Sequence, residues 1–317
     1  MRMSSLADSG LGITAEQVAS LFRPFVADGQ EDGGQRWDRE IARRKRKLLR
    51  RSVKRAMLGW LPDGRRSESV VNDEYSHAWA ATEYAIYDIG AAGAARVGYT
   101  PWEWRGERMF AVDTGATRVR QLVLCRVLDL IKPRSVLEVG CGNGINLLLL
   151  ACRFPDIAFA GVELTEAGHR AATEFQRQPT LPQAMQEYAP LPLADPTAFR
   201  RIRFVRGNAA NLPFGDGEFD LVYSVLALEQ MEGIRAQALA EFARVARTHT
   251  LMIEPFRDVN AAFWPRLYVF RRNYFRGAID ELRQYRLEPV LALSDFPQEA
   301  FLKACAVLSE KKGGVDG

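Results

Sequence analysis

An α/β architecture, in which helices cover both faces of a mostly parallel sheet, is predicted by three features of this sequence. Short apolar strands alternate with helical segments from residue 134 onward. The first of these strands, 135–139, leads directly into a glycine-rich turn and a helix. The composition, with 47% hydrophobic and 26% charged residues in 317, suits a globular chain with material for a core. Such alternation is typical of βαβ units, whose strands run parallel.

The elements of this domain are predicted in order along the chain. Five strands are predicted at 135–139, 159–164, 202–205, 219–225 and 251–254. Helices fit between them, most clearly at 145–153 and 235–246, and a long helical stretch follows from 256 to 285. A terminal strand pair is predicted at 288–294 and 301–309. Residues 179–196 contain five prolines and are expected to form a loop insertion.

Three segments are expected in the chain as a whole. Residues 1–35 are expected to be loosely ordered, apart from a short helix capped by Thr14. Residues 36–112 are expected to form a helical extension or lid that includes a basic amphipathic helix. Residues 113–312 are expected to form the α/β domain.

Basic charge is concentrated in one short segment. Residues 36–55 contain eleven Lys/Arg and two Asp/Glu, a local charge of +9, so the rest of the chain carries −5. A helix is predicted there with one apolar stripe formed by Leu49, Val53, Ala56, Met57 and Trp60. Two interpretations are open: residues 36–61 contact an anionic membrane or nucleic acid, or the helix packs on the domain through its stripe.

Several classes of protein are excluded by composition. The longest apolar run has six residues, 147–152, whereas a membrane-spanning helix needs about 20. Four scattered cysteines do not form a disulfide scaffold, and three separated histidines show no metal-ligand spacing. We expect a cytoplasmic protein without a metal or an integral membrane segment, with peripheral membrane contact as an open alternative.

The turn after the first strand is the most informative motif. Gly140, Gly142 and Gly144 allow a sharp turn and let a ligand approach the backbone, and the next helix presents free N–H groups. The spacing differs from the dinucleotide fingerprint, because Ile145 stands where that pattern has its third glycine.

The stretch Glu138-Val-Gly-Cys-Gly-Asn-Gly144 resembles motif I of class I S-adenosylmethionine-dependent methyltransferases. The similarity extends over about 134–310 and includes Glu163 at the end of the second strand and the FDLVYS strand at 219–224. The resemblance implies a Rossmann-like, seven-stranded methyltransferase sheet of order 3-2-1-4-5-7-6, with its last strand antiparallel and a helical N-terminal extension. It also implies S-adenosyl-L-methionine as the cofactor.

The same resemblance implies a set of cofactor-binding residues. Glu163 would accept hydrogen bonds from both ribose hydroxyls, and Asn208, where the family often has Asp, would lie beside the adenine. The expected cofactor-binding residues are Glu138, Gly140, Cys141, Gly142, Gly144, Glu163, Leu164, Asn208, Ala209 and Ser224.

Candidates for proton transfer are few. Methyl transfer is an in-line displacement governed by alignment, and a base is needed only when the acceptor must lose a proton. His77, Glu229 and Glu254 are the candidates, and each also has an ordinary structural interpretation. Gln230 stands where many small-molecule relatives have a histidine, which weakens any assignment of a base by resemblance.

The acceptor is expected to be a small molecule, a lipid or a sugar-linked compound. The sequence YSVLAL at 223–228 lacks the motifs of amino-adenine and cytosine-C5 methyltransferases. Trp102, Trp104 and the aromatic and arginine-rich segment 263–276 are candidates for the acceptor wall. An RNA or protein methyltransferase that uses the basic helix, or a non-catalytic binding protein with this fold, are the alternatives.

Overall fold

The computed structural model describes residues 3–27, 33–57, 84–90 and 98–313. Its strands are β1 (Thr100–Trp104), β2 (Glu107–Ala111), β3 (Ser135–Val139), β4 (Ala158–Glu163), β5 (Arg203–Arg206), β6 (Phe219–Val225), β7 (Ala246–Glu254), β8 (Leu287–Leu293), β9 (Gln298–Glu299) and β10 (Cys305–Lys311). Its α-helices are α1 (Ala15–Phe22), α2 (Gly33–Met57), α3 (Asp113–Ile131), α4 (Ile145–Arg153), α5 (Glu166–Phe175), α6 (Gln183–Tyr188), α7 (Arg235–Val245) and α8 (Phe263–Arg272).

Seven strands form the central sheet in the order β5-β4-β3-β6-β7-β10-β8. Neighbours from β5 through β7 pair in parallel, and β10 pairs antiparallel with both β7 and β8. Counted along this domain, that order is 3-2-1-4-5-7-6 with the last strand reversed. The predicted Rossmann-like α/β fold is therefore confirmed.

The sheet is buried on both faces because successive side chains of a strand point to opposite sides. Val136 packs into the apolar cluster formed with α3 and α4, whereas its neighbour Leu137 packs into the cluster formed with α7. Helix α4 is buried along its length from Ile145 to Cys152. Continuous apolar strands of this kind are what a sheet covered on both sides requires.

A second sheet has three strands in the order β2-β1-β9, and its strands β1 and β2 lie in the region where the sequence indicated only helices. Strands β1 and β2 form an antiparallel hairpin whose two turn residues, Arg105 and Gly106, have φ of 46° and 85°. Two successive positive φ values are typical of the turn that matches the twist of a hairpin. The prediction of a purely helical pattern up to residue 112 is wrong for 100–111.

Residues 3–27 are packed onto the domain, which differs from the loose order expected for 1–35. Thr14 and Gln17 form a reciprocal capping box at the start of α1. Phe25 is fully buried against Gly115 of α3, where an added Cβ would lie 2.7 Å from the Phe25 Cβ. Leu6 is also buried, and its backbone N–H donates to Asp295 at 3.2 Å.

Helix α2 buries one face and exposes another. Trp37 and Ile41 are buried, whereas Leu49, Val53 and Met57 are 48%, 49% and 77% exposed. The apolar stripe of the sequence thus exists over these three residues, but the interpretation that it packs on the domain is wrong for them. Trp60, the end of the predicted stripe, lies outside the described residues.

Two other segments differ from their predictions. The proline-rich insertion 179–196 contains the short helix α6. The stretch from 256 to 285 is not one long helix: α8 ends at Arg272, and a 3-10 helix follows at Ile279–Tyr285. Within the described ranges, no helix combines the length and hydropathy needed to cross a bilayer.

Candidate active site

A cavity of about 390 Å³ lies at the carboxyl ends of β3, β4 and β6. In open α/β sheets, ligands bind in the crevice outside these strand ends, where the strand order reverses. Here the reversal falls between β3 and β6, which are the first and fourth strands of this sheet in chain order. The cavity volume lies within the range of ordinary small-molecule sites.

The glycine loop forms one wall of this cavity. Gly140, Gly142 and Gly144 have φ of 75°, 54° and 82°, a region that residues with a Cβ rarely adopt. An added Cβ at Gly140 would lie 2.5 Å from the Cβ of Ala227, so this position also needs glycine for packing. Gly144 immediately precedes α4 and does not line the cavity; an added Cβ there would lie 2.9 Å from Phe204.

Glu163 closes β4 and holds the loop in place. Its Oε2 accepts from the backbone N–H of Gly142 at 2.9 Å. Its Oε1 accepts from the Thr165 backbone N–H at 2.9 Å and from the Thr165 hydroxyl at 2.7 Å. A carboxylate offers about four acceptor positions, so Glu163 retains capacity for a ligand hydroxyl. The residue lines the cavity, as do Leu164 and Thr165.

Asn208 and Ala209 follow β5 and line the cavity beside Glu163. The Asn208 Oδ1 accepts from the backbone N–H of Ala210 at 2.9 Å. This contact fixes the side chain within its own turn. Cys141, in the glycine loop, also lines the cavity, and burial raises the pKa of its thiol well above the usual value. Its sulfur packs close to Gly161 of β4, which fits a packing role.

Glu138 lines the cavity and is almost fully buried. It accepts from Asn146 Nδ2 at 2.7 Å and from the Tyr223 hydroxyl at 3.0 Å. Burial raises the pKa of this carboxyl to about 8, although both hydrogen bonds oppose the shift. A buried carboxyl of this kind becomes charged readily when a cation binds beside it.

Glu229 and Glu254 are also buried carboxyls, and their surroundings differ from each other. Glu254, at the end of β7, accepts from the backbone N–H groups of Ala227, Leu228 and Glu229 at 3.0–3.1 Å and does not line the cavity. Glu229 does line it: its Oε1 accepts from Gln230 Nε2 at 2.6 Å, and its Oε2 has no hydrogen-bond partner among the described residues. Burial, and then the charge of Glu254, raises the pKa of Glu229 to about 8.

Among the lining residues that were not predicted, four precede β3 in the chain. Asp113, Thr117 and Arg120 lie on the first turns of α3, and Tyr87 lies on a 3-10 helix at Tyr84–Tyr87. Arg120 is buried and donates to Asp113 at 3.1 Å. An arginine placed among the apolar positions of a helix is the signal that the sequence offered for this side of the site.

The structure therefore brings most predicted site residues together and leaves others apart. Glu138, Gly140, Cys141, Gly142, Glu163, Leu164, Asn208, Ala209 and Glu229 line one cavity. Gly144, Ser224 and Glu254 are buried around it without lining it, and His77 lies outside the described residues. Trp102 and Trp104 do not line the cavity, nor does any residue of 263–276.

Comparison with known proteins gives a consistent result. Residues 137–253 match the family model of a methyltransferase domain. The chain is 32% identical over 114 residues to the phthiotriol/phenolphthiotriol dimycocerosates methyltransferase of Mycobacterium tuberculosis, an alignment covering 36% of this chain and 34% of that protein. It is 30% identical over 156 residues to the O-methyltransferase rstn1 of Aspergillus nomiae, covering 49% and 59%.

These relatives are therefore matched over only part of their length, about a third of the first and three fifths of the second. Among solved structures, that of the [4+2]-cyclase SpnF is 16% identical with a TM-score of 0.48, covering 78% of this chain and 97% of that one.

Proposed function

We propose that this chain, which belongs to the class I S-adenosylmethionine-dependent methyltransferases, transfers a methyl group to a small-molecule acceptor. The observation that carries the proposal is the cavity at the strand ends, which is lined by the glycine loop, Glu163 and Glu229 together. The cofactor of this class is S-adenosyl-L-methionine.

The residues present fit that cofactor by the chemistry of their donors and acceptors. Glu163 offers carboxylate oxygens to a ribose diol, and Leu164 and Ala209 offer apolar surface to a base. Glu138, and the Asp113 that pairs with Arg120, suit the amino-acid end. When bound, the cofactor supplies a methyl group on a positively charged sulfur.

Calorimetric titration of S-adenosylmethionine and S-adenosylhomocysteine into the full-length chain tests the cofactor site. Loss of the charge-assisted hydrogen bond to a ligand hydroxyl in Glu163→Ala is expected to weaken binding by at least tenfold, since such a bond contributes about 1.5–3 kcal/mol. Glu163→Gln keeps the side chain's size, and its affinity is expected to lie between those of the wild type and Glu163→Ala. Glu166→Ala, at an exposed position three residues on, is the matched control. Equal affinities of all four proteins would contradict the assignment.

We further propose that Glu229 accepts the proton when the acceptor is a hydroxyl. It is buried, lines the cavity and has an oxygen without a hydrogen-bond partner among the described residues. Because its pKa is about 8, the basic form increases as the pH rises toward 8. Glu254 is a poorer candidate, since its carboxylate does not line the cavity and already accepts from three backbone N–H groups.

The class of acceptor is inferred from the relatives. One is named for methylating phthiotriol dimycocerosates and another is an O-methyltransferase, which favours a lipid or metabolite hydroxyl. A panel of phenols and long-chain alcohols, assayed by release of S-adenosylhomocysteine, is the direct screen. With an accepted substrate, kcat/KM is expected to rise with pH toward 8 in the wild type and to be flat in Glu229→Gln. The same rise in the variant would exclude Glu229 as the base.

A further inference from the structure

Helices α2 and α8 lie side by side and run in the same direction. Arg271 Nε donates to the Ser52 hydroxyl at 2.9 Å, and Lys45 Nζ lies 5.5 Å from the centre of the Trp264 ring. The two contacts are seven residues apart on each helix, which is about two helical turns. Equal steps in the same sense along both chains indicate that the two helices run in the same direction.

The pair of helices exposes apolar side chains on one side. On α2 these are Leu49, Val53 and Met57, spaced four residues apart; on α8 they are Phe263 and Phe270, spaced seven apart and 66% and 56% exposed. Each residue advances about 100° around a helix. On each helix, the exposed apolar row lies about a quarter turn around the axis from the residues that contact the other helix. Both rows therefore face the same side of the helix pair.

The opposite side of the pair is a cleft, which agrees with this placement. Arg43, Lys47 and Arg51 of α2 face Tyr268 and Arg272 of α8 across it. The exposed apolar rows are therefore a separate surface, which we call the apolar face: Leu49, Val53, Met57, Phe263 and Phe270.

Positive charge borders the apolar face. Arg46, Arg50 and Lys54 are exposed on α2 beside Leu49, Val53 and Met57. The two acids of residues 36–55 are already engaged: Glu40 pairs with Arg43 and Arg44, and Asp38 pairs with Arg108. Among the described residues, no salt bridge joins an acid to Arg46, Arg50 or Lys54, so these cations are suited to attract an anionic partner.

We propose that the apolar face docks on an anionic lipid bilayer, with its five side chains at the level of the acyl boundary and the surrounding Lys and Arg at the phosphates. Exposed aliphatic and aromatic rows within a cationic helix are the pattern of interfacial binding. A nucleic acid would use the cations but would leave Leu49, Val53 and Met57 without a partner. The proposal does not depend on the methyltransferase activity.

Co-sedimentation of the full chain with vesicles of phosphatidylcholine, with or without phosphatidylglycerol, tests this proposal. The intact chain is required because residues 3–27 belong to the core. Binding is expected with phosphatidylglycerol and is expected to fall at least tenfold without it. The Leu49→Ser/Val53→Ser variant is expected to lose about tenfold. Val290→Ser, which removes an exposed apolar side chain from β8, is the control and should bind like the wild type.

A second pair of variants separates local charge from net charge. Arg46→Glu/Arg50→Glu is expected to abolish vesicle binding, whereas Arg177→Glu/Arg200→Glu, at exposed positions elsewhere with the same change in net charge, should preserve it. Circular dichroism verifies that each variant is folded. The proposal is overturned if phosphatidylglycerol has no effect, if Leu49→Ser/Val53→Ser binds like the wild type, or if a 30-nucleotide RNA binds while vesicles do not.

Discussion

Replacing Glu229 with glutamine is expected to change how the stability of the protein depends on pH. The unfolded chain releases this proton near pH 4.5, but the folded protein holds it up to about pH 8 because the carboxyl is buried beside Glu254. Between these values the folded state binds more protons, so stability falls as the pH rises and levels off above 8. At about 1.4 kcal/mol per pH unit, the titration of Glu229 alone lowers the free energy of unfolding by about 2–3 kcal/mol as the pH rises from 5 to 7.

Urea unfolding at pH 5 and pH 7 measures this effect directly. Glu229→Gln removes the titration while keeping an oxygen that accepts from Gln230. The free energy of unfolding of the variant, relative to the wild type, is therefore expected to increase by about 2–3 kcal/mol from pH 5 to pH 7. Glu187→Gln, at an exposed position, should follow the wild type at both pH values. If the difference between wild type and Glu229→Gln is the same at pH 5 and pH 7, the carboxyl is not held neutral by burial and the reasoning fails.

Two further outcomes are expected. Gly140→Ala should destabilise the protein by about 1–3 kcal/mol more than Gly12→Ala in urea unfolding, because both sites have positive φ but only at Gly140 would the new Cβ meet the Cβ of Ala227; equal losses would exclude that contact as the cause. The hydrogen bonds from Arg105 lower the pKa of Asp295 to about 2, so they stabilise the fold above about pH 4 and are lost as the pH falls toward 2. The advantage of the wild type over Asp295→Asn in thermal unfolding should therefore shrink between pH 5 and pH 3, and a constant advantage would contradict it.

The parts of the site that sequence could predict are those fixed by local structure. A strand followed by closely spaced glycines and a helix forms the same turn in any such fold, so Gly140 and Gly142 could be placed before the structure was known. Glu163 follows from the same logic, since it ends the next strand of the same sheet.

The remaining parts depend on tertiary packing that no local pattern reveals. Arg120 lies among apolar positions of α3, and only the docking of that helix places it at the cavity. Strand β1 has five residues and gains a two-residue partner, β9, almost 200 positions along the chain. Trp102 and Trp104 are two residues apart, the spacing of one face of a strand, but this pattern was too short to predict a strand after the helical pattern that precedes it.

The packing of residues 3–27 has a consequence for how the chain reaches its native state. Ser4 donates to the carbonyl of Ala292, and Leu6 donates to Asp295, a separation of 289 residues for the second pair. Closing a loop of that length costs about 5 kcal/mol in chain entropy, which two hydrogen bonds alone do not offset. The contacts of Ser4 and Leu6 are therefore expected to form only after β8 has joined the sheet. Because residues 4 and 6 are synthesised long before residues 292 and 295, these contacts are among the last that the chain can form.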